Sequence, residues 1–261
     1  MTPHLLQLPA NAQRLAFISD LHLDQSLPRT MASFVQFLDD LPQHADALLI
    51  LGDLFEYWAG DDDLGRGSNL TVVQALRRAR AKHLLIYLQH GNRDFLLGEN
   101  FAEVSGVELL PEAVILEIAG DPVLLLHGDT LCTDDSDYQE FRAQVRTPEW
   151  QRTFLAQPLE QRLTQVEELR QRSMQATANK PGNIMDVNAD TVQKTLHSAG
   201  CHKLIHGHTH RTATHRGSVN GEAYERWVLS DWNFDHPPVR GNALMIDAQG
   251  WRWQAIQPAT N

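Results

Sequence analysis

The sequence predicts an α/β fold, a sheet flanked by helices with a helical insertion, on three observations. Short apolar runs alternate with segments whose apolar residues recur every three or four positions. Several of the runs end abruptly in Asp, Asn, Gly or His. From about Asp129 to Asp186 the chain becomes polar, arginine-rich and helical in pattern.

The elements follow in order. Arg14 to Ser19 (RLAFIS) reads as a buried strand, closed by Asp20-Leu21-His22. Met31, Phe34, Val35 and Leu38 keep helical spacing. Ala47 to Leu51 is a second strand ending at Gly52-Asp53, and an aromatic, acidic loop runs from Phe55 to Asp63. The run Asp61-Asp62-Asp63 is either a solvated turn or a device that orients this loop. Leu70 to Arg80 reads as a helix through Val73 and Leu76, and Leu84 to Leu88 as a strand ending at His90-Gly91-Asn92. Val114 to Ile118 and Val123 to Leu126 form a hairpin around Gly120-Asp121, and the second strand runs into His127.

In the insertion, Trp150 and Phe154 lie four apart, and Leu159, Leu163, Val166 and Leu169 keep helical spacing between Pro148, Pro158 and Pro181. Asp190 to Ala199 is a further helix. Lys203 to Ile205 is a strand that ends in His206-Gly207-His208-Thr209-His210-Arg211. Trp227 to Leu229, Ala243 to Ile246 and Trp251 to Ile256 read as closing strands. The expectation is one domain over residues 1–261, capped by the insertion at about 129–186.

Composition narrows the function classes. A net charge of -11 repels a phosphate backbone, so nucleic acid is not the expected partner. Two cysteines make no disulfide framework and point to a reducing compartment, with Cys132 expected to be unreactive. Met1 to Ala10 lacks the basic start of a signal peptide, and no apolar run approaches the roughly 20 residues of a membrane span. Gly-x-Ser-x-Gly and P-loop patterns are absent, which leaves serine-hydrolase and NTPase readings without support.

The clusters at the strand ends carry the chemistry. Asp20-Leu21-His22 alone reads as a strand-end cap, Gly52-Asp53 and Gly91-Asn92 as turns, and His127 as a core histidine. Five such clusters in order, all just beyond strand ends, point to one site instead. Asp, Asn and His suit borderline divalent ions such as Mn²⁺, Fe²⁺ or Zn²⁺, and the missing cysteine argues against structural zinc. A carboxylate such as Asp53 can bridge two ions about 3.5–4 Å apart, which share a hydroxide and clamp a phosphoryl oxygen for in-line attack.

Asp-x-His, Gly-Asp, Gly-Asn-Arg-Asp, His-Gly-Asp and His-Gly-His-Thr-His, in that order, resemble the calcineurin-like metallophosphoesterases. The resemblance implies a two-sheet α/β sandwich and two divalent ions, commonly Mn²⁺. It implies that Asp20, His22, Asp53 and His210 hold one ion, and that Asp53, Asn92, His127 and His208 hold the other. Arg93 stands where the superfamily's common form has histidine. An arginine is no proton donor at neutral pH, but its fork can bind phosphate oxygens and stabilise transition-state charge. Asp53, Asn92 and Arg93 are thus the candidate catalytic residues.

The longer stretches Leu51 to Asp62, Gly91 to Gly98, His127 to Asp135 and Ile184 to Asn188 resemble one branch of that superfamily, pyrophosphohydrolases of lipid A biosynthesis. That likeness implies hydrolysis of UDP-2,3-diacylglucosamine to UMP and 2,3-diacylglucosamine 1-phosphate, by attack at the uridine-side phosphorus. It implies a lipid-linked sugar nucleotide as partner, met by a monomer at the cytoplasmic face of the inner membrane. Asn92, Arg93, Asp135, Ser173, Lys180 and His208 would contact substrate; Thr177 falls where relatives have asparagine. Trp150, Phe154, Leu155, Leu159, Leu163 and Met174 either line a chamber for acyl chains, worth about 0.8 kcal/mol per CH₂, or dock the insertion on the core. Arg152, Arg162, Arg170, Arg172 and Lys180 meet the head group or anionic lipid, or else the arginines form a solvated helix face. The alternatives are a phosphodiesterase or nuclease of a soluble substrate, and a binding scaffold without turnover.

Overall fold

The computed structural model describes residues 2–179, 186–219 and 221–259, without the side chains of residues 172–179 and Val219. Its centre is a run of parallel strands too apolar to face water on either side. β2 (Leu15–Ile18), β3 (Ala47–Leu51) and β4 (Leu85–Gln89) pair in parallel, and β2 and β3 are buried at every position. β5 (Glu108–Leu110) extends one edge, while β11 (Asn242–Asp247) and β12 (Gly250–Ala255) extend the other. This sheet has the order β12-β11-β2-β3-β4-β5.

A second sheet packs against it. Its six strands are β1 (His4–Leu6), β6 (Ala113–Ile118), β7 (Asp121–Leu126), β8 (Lys203–His206), β9 (Ala213–Val219) and β10 (Glu222–Val228), in the order β1-β6-β7-β8-β10-β9. Period-two geometry divides the core into layers. Leu49 and Leu51 of β3 meet Val123, Leu125 and Ile205 between the sheets. Leu48 and Ile50 point outward, against α1 (Pro28–Asp40), α2 (Gly67–Ala81) and α3 (Glu99–Ser105). Leu124, Leu126 and Leu204 cover the opposite outer face together with Val192 and Leu196 of α7 (Ala189–Ala199). The two-sheet sandwich flanked by helices is therefore the observed fold.

Between β7 and α7 lie three helices: α4 (Ser136–Val145), α5 (Pro148–Leu155) and α6 (Leu159–Asn179). Asp135 caps α4 by accepting from the Tyr138 amide, and Thr147 caps α5, with Pro148 at its first turn. Phe154, Trp150 and Val166 pack on the helix-covered face of the first sheet. Asp61 and Asp63 turn inward and orient their loop, while Asp62 stays exposed on it. Asp61 accepts from Trp58 Nε1, Gly98 N and Phe101 N, each at 3.0 Å. Asp62 pairs with Arg162, whose guanidinium also donates to the Ala59 carbonyl, and Asp63 is buried. Arg162 thus belongs to the docking contact and not to a solvated face.

Sequence patterning missed β1, β5, β9 and α3. β9 (ATHRGSV) has no apolar alternation because it is an edge strand, held by its ladder to β10. β10 reaches back to Glu222, well before the apolar Trp227 that marked it in the sequence. Among the described residues, no helix is long and apolar enough to cross a membrane.

Candidate metal centre

The carboxyl ends of five parallel strands converge. Asp20 and His22 follow β2, Asp53 follows β3, Asn92 follows β4, His127 follows β7, and His208 and His210 follow β8. All seven predicted metal residues therefore meet. His22 Nε2 lies 3.2 Å from His210 Nε2 and 3.8 Å from Asp53 Oδ2. Asp53 Oδ2 lies 3.7 Å from His127 Nε2, and Asn92 Oδ1 lies 2.9 Å from His127 Nε2 and 2.8 Å from His208 Nδ1. His210 Nε2 is 3.4 Å from Asp20 Oδ1. Coordinating atoms of Asp20, His22 and His210 fall within 4.8 Å of one another, as do those of Asp20, Asp53 and His127.

The backbone is strained where these side chains turn inward. Among the described residues seven non-glycine residues have positive φ, and five are Asp20, His22, Asp53, His208 and His210, at 50° to 69°. Such conformations cost about 1–3 kcal/mol each and persist only where the surroundings enforce them. The glycines beside them serve close approach: a Cβ on Gly91 would overlap the Asp53 carboxylate, and one on Gly207 would overlap Ser19 and Asp20. Asp53 is held by the Arg93 amide, which donates to Oδ1 at 2.8 Å. Asp20 Oδ2 accepts from the His208 amide at 2.9 Å.

The donor set fits cations. Asp20 is fully buried and its Oδ1 has no hydrogen-bond partner. His127 Nδ1 must donate to the Leu51 carbonyl at 2.8 Å, because a carbonyl only accepts, so Nε2, which faces Asn92 and Asp53, is the nitrogen left to take either a proton or a cation. Burial lowers the His127 pKa, yet Asp53, Asp20 and Asp129 outweigh it and hold the ring up to about 9. Burial raises the Asp53 pKa above the usual carboxylate range. Burial also opposes ionisation of Asp20, but its 3.4 Å contact with His210 and the charges of His127 and His22 prevail and keep it well below that range. The pocket is thus a negative field that seeks positive charge.

The histidine loop is braced from behind. Arg226 Nη1 donates to His206 Nε2 at 2.9 Å, so Nδ1–H of His206 donates to the Gly207 carbonyl at 2.8 Å. Burial, then Arg226, pushes His206 down to about 3, which keeps it neutral. Tyr138 of α4 stacks on His208 with ring centroids 5.9 Å apart and donates its hydroxyl to the buried Asp129 at 2.8 Å. Arg142 Nε donates to the same oxygen at 2.7 Å, and Arg146 donates to the Gly91 carbonyl at 2.7 Å. Tyr138, Arg142 and Arg146 form one helical stripe against the site. Sequence reasoning missed them, although their four-residue spacing was the available signal. Glu56, 3.0 Å from His22 Nδ1, was missed as well.

A cavity of about 420 Å³ opens directly on this cluster. Asn92, Arg93, Glu56, Asp135 and Arg170 form its polar end, while Phe95, Leu96, Phe141, Trp150, Phe154, Val166 and Leu169 form an apolar wall. The Arg93 guanidinium makes no hydrogen bond or ion pair among the described residues. Of the expected chamber residues, Trp150 and Phe154 line it, stacked at 4.9 Å. Leu155 and Leu159 are not part of its wall, Leu155 being 42% exposed, and Leu163 lines a separate polar groove with Tyr57 and Arg66. Helical periodicity marks an apolar face but not which neighbour that face meets. The side chains of Ser173, Met174 and Thr177, and all of Lys180, lie outside the described residues. Cys132 is buried, and burial pushes its thiol up to about 12.

Comparison with known proteins agrees with this geometry. UDP-2,3-diacylglucosamine hydrolase of Bordetella parapertussis is 46% identical over 235 residues, 89% of this chain and 91% of its own. The protein of the same description from Aromatoleum aromaticum is 48% identical over 224 residues, 86% of this chain and 91% of its own. That from Cellvibrio japonicus is 44% identical over 235 residues, 90% of this chain and 98% of its own. The family model described as Calcineurin-like phosphoesterase matches residues 13–212, a span that begins just before β2 and ends just after His210. With all five strand-end clusters inside that span, the chain belongs to the calcineurin-like phosphoesterase family.

Proposed function

We propose that this chain hydrolyses the pyrophosphate bond of UDP-2,3-diacylglucosamine, releasing UMP and 2,3-diacylglucosamine 1-phosphate. One observation carries the reading: the apolar cavity and the candidate metal centre share Asn92 and Arg93 at their junction. A diphosphate at that junction leaves the acyl chains facing Phe95, Trp150 and Phe154. The names of the relatives support the same substrate.

In this proposal Asp20, His22, Asp53 and His210 hold one divalent ion, and Asp53, Asn92, His127 and His208 hold the other, with Mn²⁺ as the native metal. Bound there, the pair supplies Lewis acidity and charge neutralisation for attack of water on the uridine-side phosphorus. The chain's own groups do the rest. Arg93 places beside the cluster a guanidinium with no partner among the described residues, and its fork fits the non-bridging phosphate oxygens as charge builds on them. Asn92 and His208 position the diphosphate. Asp135, Ser173, Thr177 and Lys180 are proposed contacts to the head group. The helices α4–α6 act as a cap on a single domain, excluding bulk water and burying acyl chain at about 0.8 kcal/mol per CH₂. A monomer working peripherally at the cytoplasmic face of the inner membrane meets such a substrate.

The test compares UMP release, with Mn²⁺, from the diacylated sugar nucleotide and from the same nucleotide without acyl chains. The proposal expects a large preference for the acylated form. Equal rates would identify a phosphodiesterase of soluble substrates.

A further inference from the structure

The loop after β3 holds a carboxylate that the five strand-end motifs leave out. We infer that Glu56 is a positioning residue, fixing His22 from behind with one oxygen and tying α6 to the site, through Arg170, with the other. The inference rests on the two-ion reading proposed above.

The local structure makes Glu56 rigid. His22 N donates to the Asp53 carbonyl and Leu23 N to the Leu54 carbonyl, each at 3.0 Å, and Glu56 N donates to the Leu23 carbonyl at 3.2 Å. Residues 53–56 therefore run beside residues 20–23 after both strands have ended. Phe55 is buried and anchors the loop against Trp58 and Phe101, with centroids at 4.7 and 5.9 Å. Asp53 then faces the cluster while Glu56 reaches the outer side of His22.

Each Glu56 oxygen has its own task. Oε2 lies 3.0 Å from His22 Nδ1, and Oε1 accepts from Arg170 Nε at 2.7 Å. The Glu56 side chain is only 15% exposed. A carboxylate paired with the Arg170 guanidinium only accepts, so its 3.0 Å contact favours the tautomer with the hydrogen of His22 on Nδ1 and leaves Nε2 for the side facing Asp53 and His210. That is the geometry by which a carboxylate fixes the tautomer of a metal-binding histidine and raises its basicity. Asp231 makes the useful contrast: it lies 3.7 Å from His210 Nδ1, beyond hydrogen-bond reach, and both of its oxygens accept from Arg240 Nε. Glu56 and Arg170 also line the cavity, so one carboxylate links the cavity wall to the orientation of His22.

The experiment uses the full chain carrying Glu56→Ala, Glu56→Gln or Arg170→Met. Mn²⁺ affinity is measured by chelator competition, and kcat and KM by UMP release. Glu56→Ala weakens one of two ions by about ten- to a hundredfold and leaves the other unchanged. Glu56→Gln keeps an acceptor for His22, so its ion affinities stay near wild type, while loss of the charged bond to Arg170 raises KM by about tenfold. Arg170→Met raises KM alike and leaves both ions in place. Glu56→Ala protein that keeps both ions at wild-type affinity overturns the inference, and so does Glu56→Gln with a wild-type KM. Should Glu56→Ala fail to fold, the nearly isosteric Glu56→Gln carries the test through its split between KM and ion affinity. Wild-type protein that holds fewer than two ions instead overturns the two-ion reading, with this inference falling as its consequence.

Discussion

The strand-end cluster and the three helices above it are built on opposite principles. In the cluster, five residues hold strained left-handed backbone, and Asp20, Asp53 and His127 are at most 2% exposed. The turns after β2 and β3 are held to each other by backbone bonds, and the turn after β8 by the bonds from the Gly207 amide to the His127 carbonyl and from the His208 amide to Asp20. The helices, by contrast, are polar, and side chains fasten them: Arg142 to Asp129, Arg146 to Gly91, Arg162 to Asp62 and Arg170 to Glu56. A rigid sheet can fix reacting groups to fractions of an ångström, whereas side-chain tethers hold a wall that shapes what enters. Chemistry should therefore fail when the cluster is touched, and selectivity when the helices are touched.

The largest effect should come from Asp53→Ala, which removes a buried carboxylate lying 3.8 Å from His22 Nε2 and 3.7 Å from His127 Nε2. Turnover should fall by more than about a thousandfold, the loss of several kcal/mol of charge stabilisation, and bound metal should fall with it. Full metal content in this variant would break the division drawn here. Arg93→Ala should lower kcat by about a hundred- to a thousandfold while two ions remain, as measured by elemental analysis of the purified protein. Loss of an ion would make Arg93 part of the scaffold instead.

Effects in the helices should be smaller and of another kind. Trp150→Ala removes part of the apolar wall, so KM for the diacylated nucleotide should rise by about tenfold, with little change for a deacylated one. A comparable change for both substrates would mean that Trp150 only docks α5. Arg66→Ala should matter least. Its 2.9 Å pair with Glu160 joins α2 to α6 at the surface, with side chains 50% and 81% exposed. Such pairs contribute about 0–1 kcal/mol, so thermal unfolding should shift by no more than about 4 °C, and activity should hold.

The same contrast explains what could be read from the chain alone. Buried parallel strands are near-continuous apolar runs, so β2, β3 and β4 were legible, and the residues just after them had a defined place at the carboxyl edge. Asp20, His22, Asp53, Asn92, His127, His208 and His210 follow from that rule. Edge strands such as β9 escaped because hydrogen bonding to β10 holds them, and that leaves little apolar pattern. Glu56 and Tyr138 escaped because their roles depend on what faces them. Glu56 contacts Arg170, 114 positions further on, and Tyr138 lies over His208. Leu155 and Leu163 fall outside the cavity wall for the same reason, since periodicity shows that a helix has an apolar face and says nothing of its neighbour.

The order of apolar runs and the polar residues that close them determined the sheet and the membership of the site, because both are local consequences of strand burial and strand ends. Only the tertiary structure decided the cavity wall, the bracing of His22 by Glu56 and the stacking of Tyr138 on His208. Those contacts join segments whose separation along the chain carries no signal, and they exist only once the two sheets and the helices above them have packed.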